Sequence, residues 1–294
     1  MAVDSPAAAE CQRRADRWHR LASPRDGATA DRGELARPRV SGAAVTIPEV
    51  GIHRLVLWNI DLTLLDVGRV TRAAYADAFR TVIGRPLVAL PQTAGRTESE
   101  IFFDALALNE PAAFATGPAG EELLAAFTAE LATAFHSRRE LLTEEGWLLP
   151  GARDAVAEVA ALPGVVQTVL TGAIKPNAIE KLRAFGLEQY FDTEVGGYGS
   201  EVFPKGALLL TARGRAARKY GVDFTERATA YIADSVRDVA AARMGGAHSV
   251  AVASGRSSAG ELRDEGADVV LADLTDTARV VQAIDCLTSP AAAG

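Results

Sequence analysis

From Ile52 onward, short apolar runs along the chain stop abruptly at polar residues, and the stops fall at regular intervals. The first run, Leu55-Val56-Leu57-Trp58, reads as a buried strand over 53–58 and breaks into Asn59, Asp61, Thr63 and Asp66. Between 68 and 145 the period changes. Leu123, Leu124, Phe127, Leu131 and Phe135 recur at helical spacing, and nothing in this block reads as a strand. After Pro150-Gly151 helices and strands alternate. A helix over 151–161 precedes a strand over 165–170 ending in Thr171-Gly172, and the next helix, with Pro176 in its first turn, stops at Gly186. A short strand is expected near 192–195, then a helix over 205–219 closed by Gly221 and a strand over 229–233 ending in Asp234. Helix 236–244, strand 248–253, helix 258–265 and strand 268–271 complete the series.

Repeated strand–helix units of this length imply right-handed crossovers and parallel pairing. The expected fold is α/β, a doubly wound parallel sheet with an inserted all-helical cap. The expected division is an extension over 1–51, a core over 52–66 and 146–285, the cap over 67–145, and a tail over 286–294.

Composition narrows the setting. The chain has 294 residues and 48% hydrophobic content, ample for a substantial core, yet no run nears the ~18 apolar residues of a membrane span. A net charge of −7 argues against a nucleic-acid-binding surface. Cys11 and Cys286 are too few for a disulfide framework or a thiolate metal site, which points to a reducing, cytoplasmic setting. The opening segment is rich in Ala, Arg, Asp, Pro and Gly. Acids among Arg13, Arg14, Arg17 and Arg20 count against a mitochondrial-type signal, no apolar secretory core is visible, and the segment reads as an extension.

The chemistry sits where the strands stop. Asn59, Asp61 and Thr63 follow the first strand, Thr171-Gly172 the second, and Asp234, Ser235 and Asp238 the fourth, while Lys205 opens the helix after the third. Gathered at one sheet edge, they supply carboxylates for a hard cation and a lysine, hydroxyls and helix N-termini for anionic oxygens. That inventory suits a phosphate with magnesium.

The order of these motifs resembles the haloacid dehalogenase superfamily over about 52–275. Its first motif, an apolar strand followed by Asp-x-Asp-x-Thr-Leu, matches 55–64 with Asn59 in place of the first Asp. Val169-Leu170-Thr171-Gly172 matches the second motif, and Lys205 in Phe203-Pro204-Lys205-Gly206 the third, with Lys175 the weaker candidate. Tyr231-Ile232-Ala233-Asp234-Ser235-Val236-Arg237-Asp238 matches the fourth except at Ala233. The helical block lies where the family inserts its C1 cap.

The resemblance implies a magnesium-dependent phosphomonoester hydrolase acting on a small phosphorylated metabolite. Residue 59 would be the nucleophile, Asp61 the general acid and base, and Thr171 with Lys205 the phosphoryl clamp. Magnesium would sit on residue 59, Asp61 and Asp234, with Asp238 outside them. Thr63 would brace the loop, Gly172 would border the phosphate, and Arg96, in the cap loop Gly95-Arg96-Thr97, would reach the substrate. Asn59 departs from this scheme, because a carboxamide is a very poor nucleophile and is not a carboxylate ligand. A trapping substitution, a natural binding protein on the same scaffold, and direct attack by water with Asp61 as base all stay open. A shift of the motif by two residues is disfavoured by the Thr63-Leu64 pair. Dehalogenase chemistry needs the nucleophile and neither the second acid nor the metal, the reverse of what is kept here. The oligomeric state is not legible.

Overall fold

The computed structural model describes residues 54–110, 118–201 and 204–288. The N-terminal extension, Cys11, Phe203 and the tail beyond Thr288 lie outside the described residues.

Strand β1 (Arg54–Trp58) is buried at every position, as a central parallel strand must be. The chain turns directly into the short strand β2 (Leu65–Asp66). Helices α1 (Gly68–Ile83), α2 (Glu98–Asn109), α3 (Pro118–His136) and α4 (Leu141–Glu145) follow, and β3 (Trp147–Leu148) then pairs antiparallel with β2. The helical insertion therefore leaves and rejoins the sheet domain at one place. Next come α5 (Ala152–Ala160), β4 (Val165–Thr171), α6 (Lys175–Ala184), β5 (Gly197–Tyr198) and α7 (Lys205–Tyr220). Strand β6 (Thr229–Ala233), α8 (Val236–Gly245), β7 (His248–Val252), α9 (Ala259–Asp264), β8 (Val269–Leu271) and α10 (Thr277–Thr288) complete the order.

The sheet runs β5-β4-β1-β6-β7-β8, and all its pairings are parallel. Trp58 stands beside Val169 and Ile232, so β1, β4 and β6 end at one edge. Alternation along β1 sends Val56 and Trp58 into one core and Leu55 and Leu57 into the other. The first core takes α5, α6 and α10, through Val156, Leu182 and Ile284; the second takes α7, through Leu208, Leu209 and Ala212. Helices on both faces make the doubly wound fold.

The insertion has its own apolar seam. Val70, Ala74, Tyr75, Ala78 and Phe79 bury one stripe of α1, and Phe127, Leu131 and Phe135 bury one stripe of α3. Phe127 stacks on Phe102 at 4.5 Å between centroids and meets Tyr75 edge-on at 5.4 Å. Thr97 and Glu100 form a reciprocal capping box that starts α2.

Two sequence expectations are corrected. The strand placed near 192–195 is instead the two-residue β5 at 197–198, paired with Leu170 and Thr171. A Cβ on Gly197 would lie 2.8 Å from Leu170 Cδ1 and 2.9 Å from Leu208 O, so only glycine lets the segment close on the sheet. The boundary at 285 is also too early. Helix α10 runs to Thr288, burying Val280, Ala283, Ile284 and Leu287 at helical spacing.

Candidate active site

Strand β1 delivers Asn59 to the sheet edge, where its backbone N–H donates to Ile232 O at 2.9 Å. The chain then folds back tightly, with Leu62 N–H donating to Leu65 O at 2.8 Å. Leu62 takes φ 61°, a left-handed conformation that strains a branched residue by about 1–2 kcal/mol. Its carbonyl accepts Ser254 Oγ at 2.7 Å, tying this loop to the end of β7.

Asn59 is the hub of the site. Its Nδ2 donates to Asp61 O at 2.8 Å, Asp234 Oδ1 at 2.9 Å and Thr63 Oγ1 at 3.1 Å, while Lys205 Nζ donates to its Oδ1 at 3.2 Å. Thr63 Oγ1 donates to Asp234 Oδ1 at 2.8 Å, so Thr63 braces the loop against β6. Lys205, buried at the start of α7, also pairs with Asp238 Oδ1 at 2.6 Å. Asp238 further accepts Tyr231 Oη at 2.9 Å and Ser235 Oγ at 2.5 Å, which occupies both its oxygens. Burial, reinforced by the Asp238 carboxylate, pushes Asp234 up to about 7 against Thr63, Lys205 and Asn59. Burial, then Asp238, also holds the Tyr231 phenol well above its ordinary value.

A cavity of about 930 Å³ opens between the strand ends and the insertion. Asn59, Asp61, Gly172, Lys205 and Gly255 line the sheet side, and Tyr75, Arg96 and Glu98 the insertion side. Asp234, Asp238, Thr63 and Thr171 do not line it. Thr171 is buried with its Oγ1 accepting Ala173 N–H at 3.2 Å, so Gly172 and Ala173 form the wall there. Lys175 stands over the Tyr198 ring, 5.3 Å from its centroid, outside the lining.

Two residues join the site unannounced by any motif. Lys181, from the middle of α6, donates to both oxygens of Asp61 at 2.8 and 2.7 Å, with only 3% of its own side chain exposed. Glu98, in the first turn of α2, is buried beside this pair with Oε2 unpartnered. Burial raises its carboxyl to about 8, Lys181 opposes the rise and Asp61 adds to it. Lys181 had a sequence signal, since it interrupts the buried stripe Ala178–Leu182 of α6. Glu98 had none, because an acid in a first helical turn is ordinary.

The insertion is seated directly on the sheet edge. A Cβ on Gly172 would fall 1.8 Å from Arg96 O, and one on Gly199 would fall 1.7 Å from Gly172 O. Gly95, at φ 67°, leaves no room for a Cβ beside Ser235 Oγ and Arg237. Arg96 turns its guanidinium to Asp104 Oδ2 at 2.5 Å within the insertion, although it lines the cavity.

The donors present do not fit magnesium. A hard cation needs oxygens with free lone pairs. Asn59 instead turns its N–H groups toward Asp61 O and Asp234 Oδ1, and flipping the amide would set Nδ2 against the Lys205 ammonium. Asp234 Oδ2 lies against Gly255, where a Cβ would fall 1.9 Å away. Among the described residues, no group of three or more His, Cys, Asp or Glu is placed to hold a metal ion. Nor, among them, is any helix long and apolar enough to cross a membrane.

Comparison with curated proteins found no match. Among solved structures, a hydrolase from Pseudomonas syringae shares 21% identity at a TM-score of 0.56, over 79% of this chain and 99% of that one. A protein from Clostridium acetobutylicum described as "a predicted phosphatase" shares 16% at 0.56, over 79% and 99%. CbbY from Rhodobacter sphaeroides, solved in complex with phosphate, shares 21% at 0.50, over 76% and 96%. At such identities the likeness establishes the fold alone. A sequence model of the haloacid dehalogenase-like hydrolases matches residues 56–243, a span that takes in every strand end from Asn59 to Asp238. With well over half its length matched and its strand ends gathered as that family arranges them, the chain belongs to the haloacid dehalogenase-like hydrolases.

Proposed function

We propose that the cavity receives the phosphoryl group of a small phosphorylated metabolite and that this chain descends from the family's phosphomonoester hydrolases. The observation that carries the reading is the convergence of Asn59, Asp61, Gly172 and Lys205, from separate parts of the sequence, onto one cavity. In this reading Lys205 supplies positive charge to the phosphoryl oxygens, Gly172 borders them, and Thr171 shapes that turn from behind. Asp61, held by Lys181, is the general acid and base, and Thr63, Asp234 and Asp238 hold the loop and the lysine in place. The helices over 67–145 act as the cap that encloses the ligand and excludes water. Arg96 engages the substrate only on release from Asp104. The phosphate complex of the Rhodobacter protein and the description of the Clostridium protein support this assignment. We take the setting to be cytoplasmic, on the acidic composition.

The amide contacts of Asn59 favour a second reading of the same site, a binding protein that does not turn its ligand over. Loss of a nucleophile costs on the order of 10⁴–10⁶-fold in turnover. Magnesium dependence, on this view, belongs to the form with a carboxylate at position 59. A panel of phosphorylated sugars, nucleotides and small acids, assayed with magnesium on the chain and on Asn59→Asp, separates the cases. Release of phosphate by the Asp form alone assigns the chain to binding. Release by both assigns it to hydrolysis without a nucleophile at 59. Release by neither removes the hydrolase assignment.

A further inference from the structure

We infer that the Asn59 carboxamide takes over the bridging role of the divalent cation, so that this site holds a phosphoryl group without metal. The ligand part rests on the proposed function above; the cation part stands by itself.

The amide can face only one way. Lys205 Nζ, which has no acceptor to offer, stands 3.2 Å from Oδ1, and Nδ2 faces oxygens of Asp61, Asp234 and Thr63 at 2.8–3.1 Å. Thr63 Oγ1 spends its own proton on Asp234, so it is free to accept. The two amide protons thus join Asp61 O to Asp234 Oδ1, the pair that the family resemblance assigns to the metal. A cation placed between them would compete for both oxygens and leave Thr63 Oγ1 as the remaining acceptor for two amide protons, so one buried N–H would go unsatisfied. Asp234 itself is 2% exposed, with Gly255 packed against Oδ2. Asp238 is already engaged by Lys205, Tyr231 and Ser235.

Charge points the same way. With Asn59 neutral, Asp234 and Asp238 against Lys205 leave one formal negative charge if both acids are ionised, where an Asp at 59 would leave two. That change weakens the hold on a dication and reduces the repulsion met by a phosphate dianion. A cation then has less charge to offset when the anion enters.

The test is Mn²⁺ titration of the full chain, followed by the loss of the free-ion electron paramagnetic resonance signal, beside Asn59→Asp. We expect Asn59→Asp to bind one Mn²⁺ at least on the order of 10-fold more tightly than the chain itself. Equal affinities, or a folded Asn59→Asp that gains no site, overturn the inference. A second measurement needs no variant: the rise in melting temperature of the chain with inorganic phosphate, in EDTA and in Mg²⁺. Equal rises support metal-free binding, and a rise that requires Mg²⁺ overturns it. No rise in either medium overturns phosphoryl binding, while the Mn²⁺ arm still decides whether Asn59 excludes the cation.

Discussion

Replacing Glu98 with Gln removes one titration from the molecule and little else. The residue is 5% exposed, Oε2 has no partner, and burial raises the carboxyl to about 8 despite the nearby Lys181. The folded value lies above the ordinary 4.5, so the folded state keeps a proton that the unfolded chain has already released. The contribution to stability is therefore complete below about 4.5 and is lost as pH climbs toward about 8. At about 1.4 kcal/mol per pH unit, the interval from about pH 5.5 to about pH 7.5 removes roughly 2–3 kcal/mol through this group. Urea unfolding at both pH values, on the chain and on Glu98→Gln, measures it. Asp234, pushed up mainly by burial, titrates in the same window but in both proteins, so it cancels in the comparison. The variant should lose roughly 2–3 kcal/mol less than the parent across the interval. Parallel losses would refute the claim that Glu98 is buried with its proton.

Other perturbations test the frame of the site. Leu62→Gly relieves the left-handed strain and should raise stability by roughly 0.5–1 kcal/mol after the entropic cost of glycine, read from melting curves. Gly172→Ala drives a methyl into the backbone carbonyl of Arg96 and should cost about 1–3 kcal/mol. Gly214→Ala, inside α7 with only Arg218 Nη1 nearby at 3.7 Å, should instead gain about 0.5–1 kcal/mol. Phe127→Ala empties the seam between Phe102 and Tyr75 and should cost about 3–5 kcal/mol in denaturant unfolding.

Much of the molecule was legible along the chain. Apolar runs ending in Asn59, Thr171 and Asp234 mark parallel strands, because a strand buried on both faces admits polar groups only where it leaves the core. Since parallel strands end on one edge, the same stops locate the site. Of the two lysines weighed for the third motif, Lys205 lies beside Asn59 and Lys175 against Tyr198. Helix α10 carries Val280, Ala283, Ile284 and Leu287 at helical spacing, beyond the last strand that the apolar runs mark.

Contacts set by how distant faces meet were not legible. Strand β5 is two residues in a glycine-rich run, placed by the room that Gly197 leaves at Leu170 and Leu208. Lys181 reaches Asp61 across 120 positions, and Arg96 pairs with Asp104 at the cavity wall, as α2 folds beside its own loop. The chain alone determined that an amide replaces a carboxylate at position 59. Only the fold decided which way that amide faces, because the ammonium and the oxygens that orient it arrive from three different strand ends.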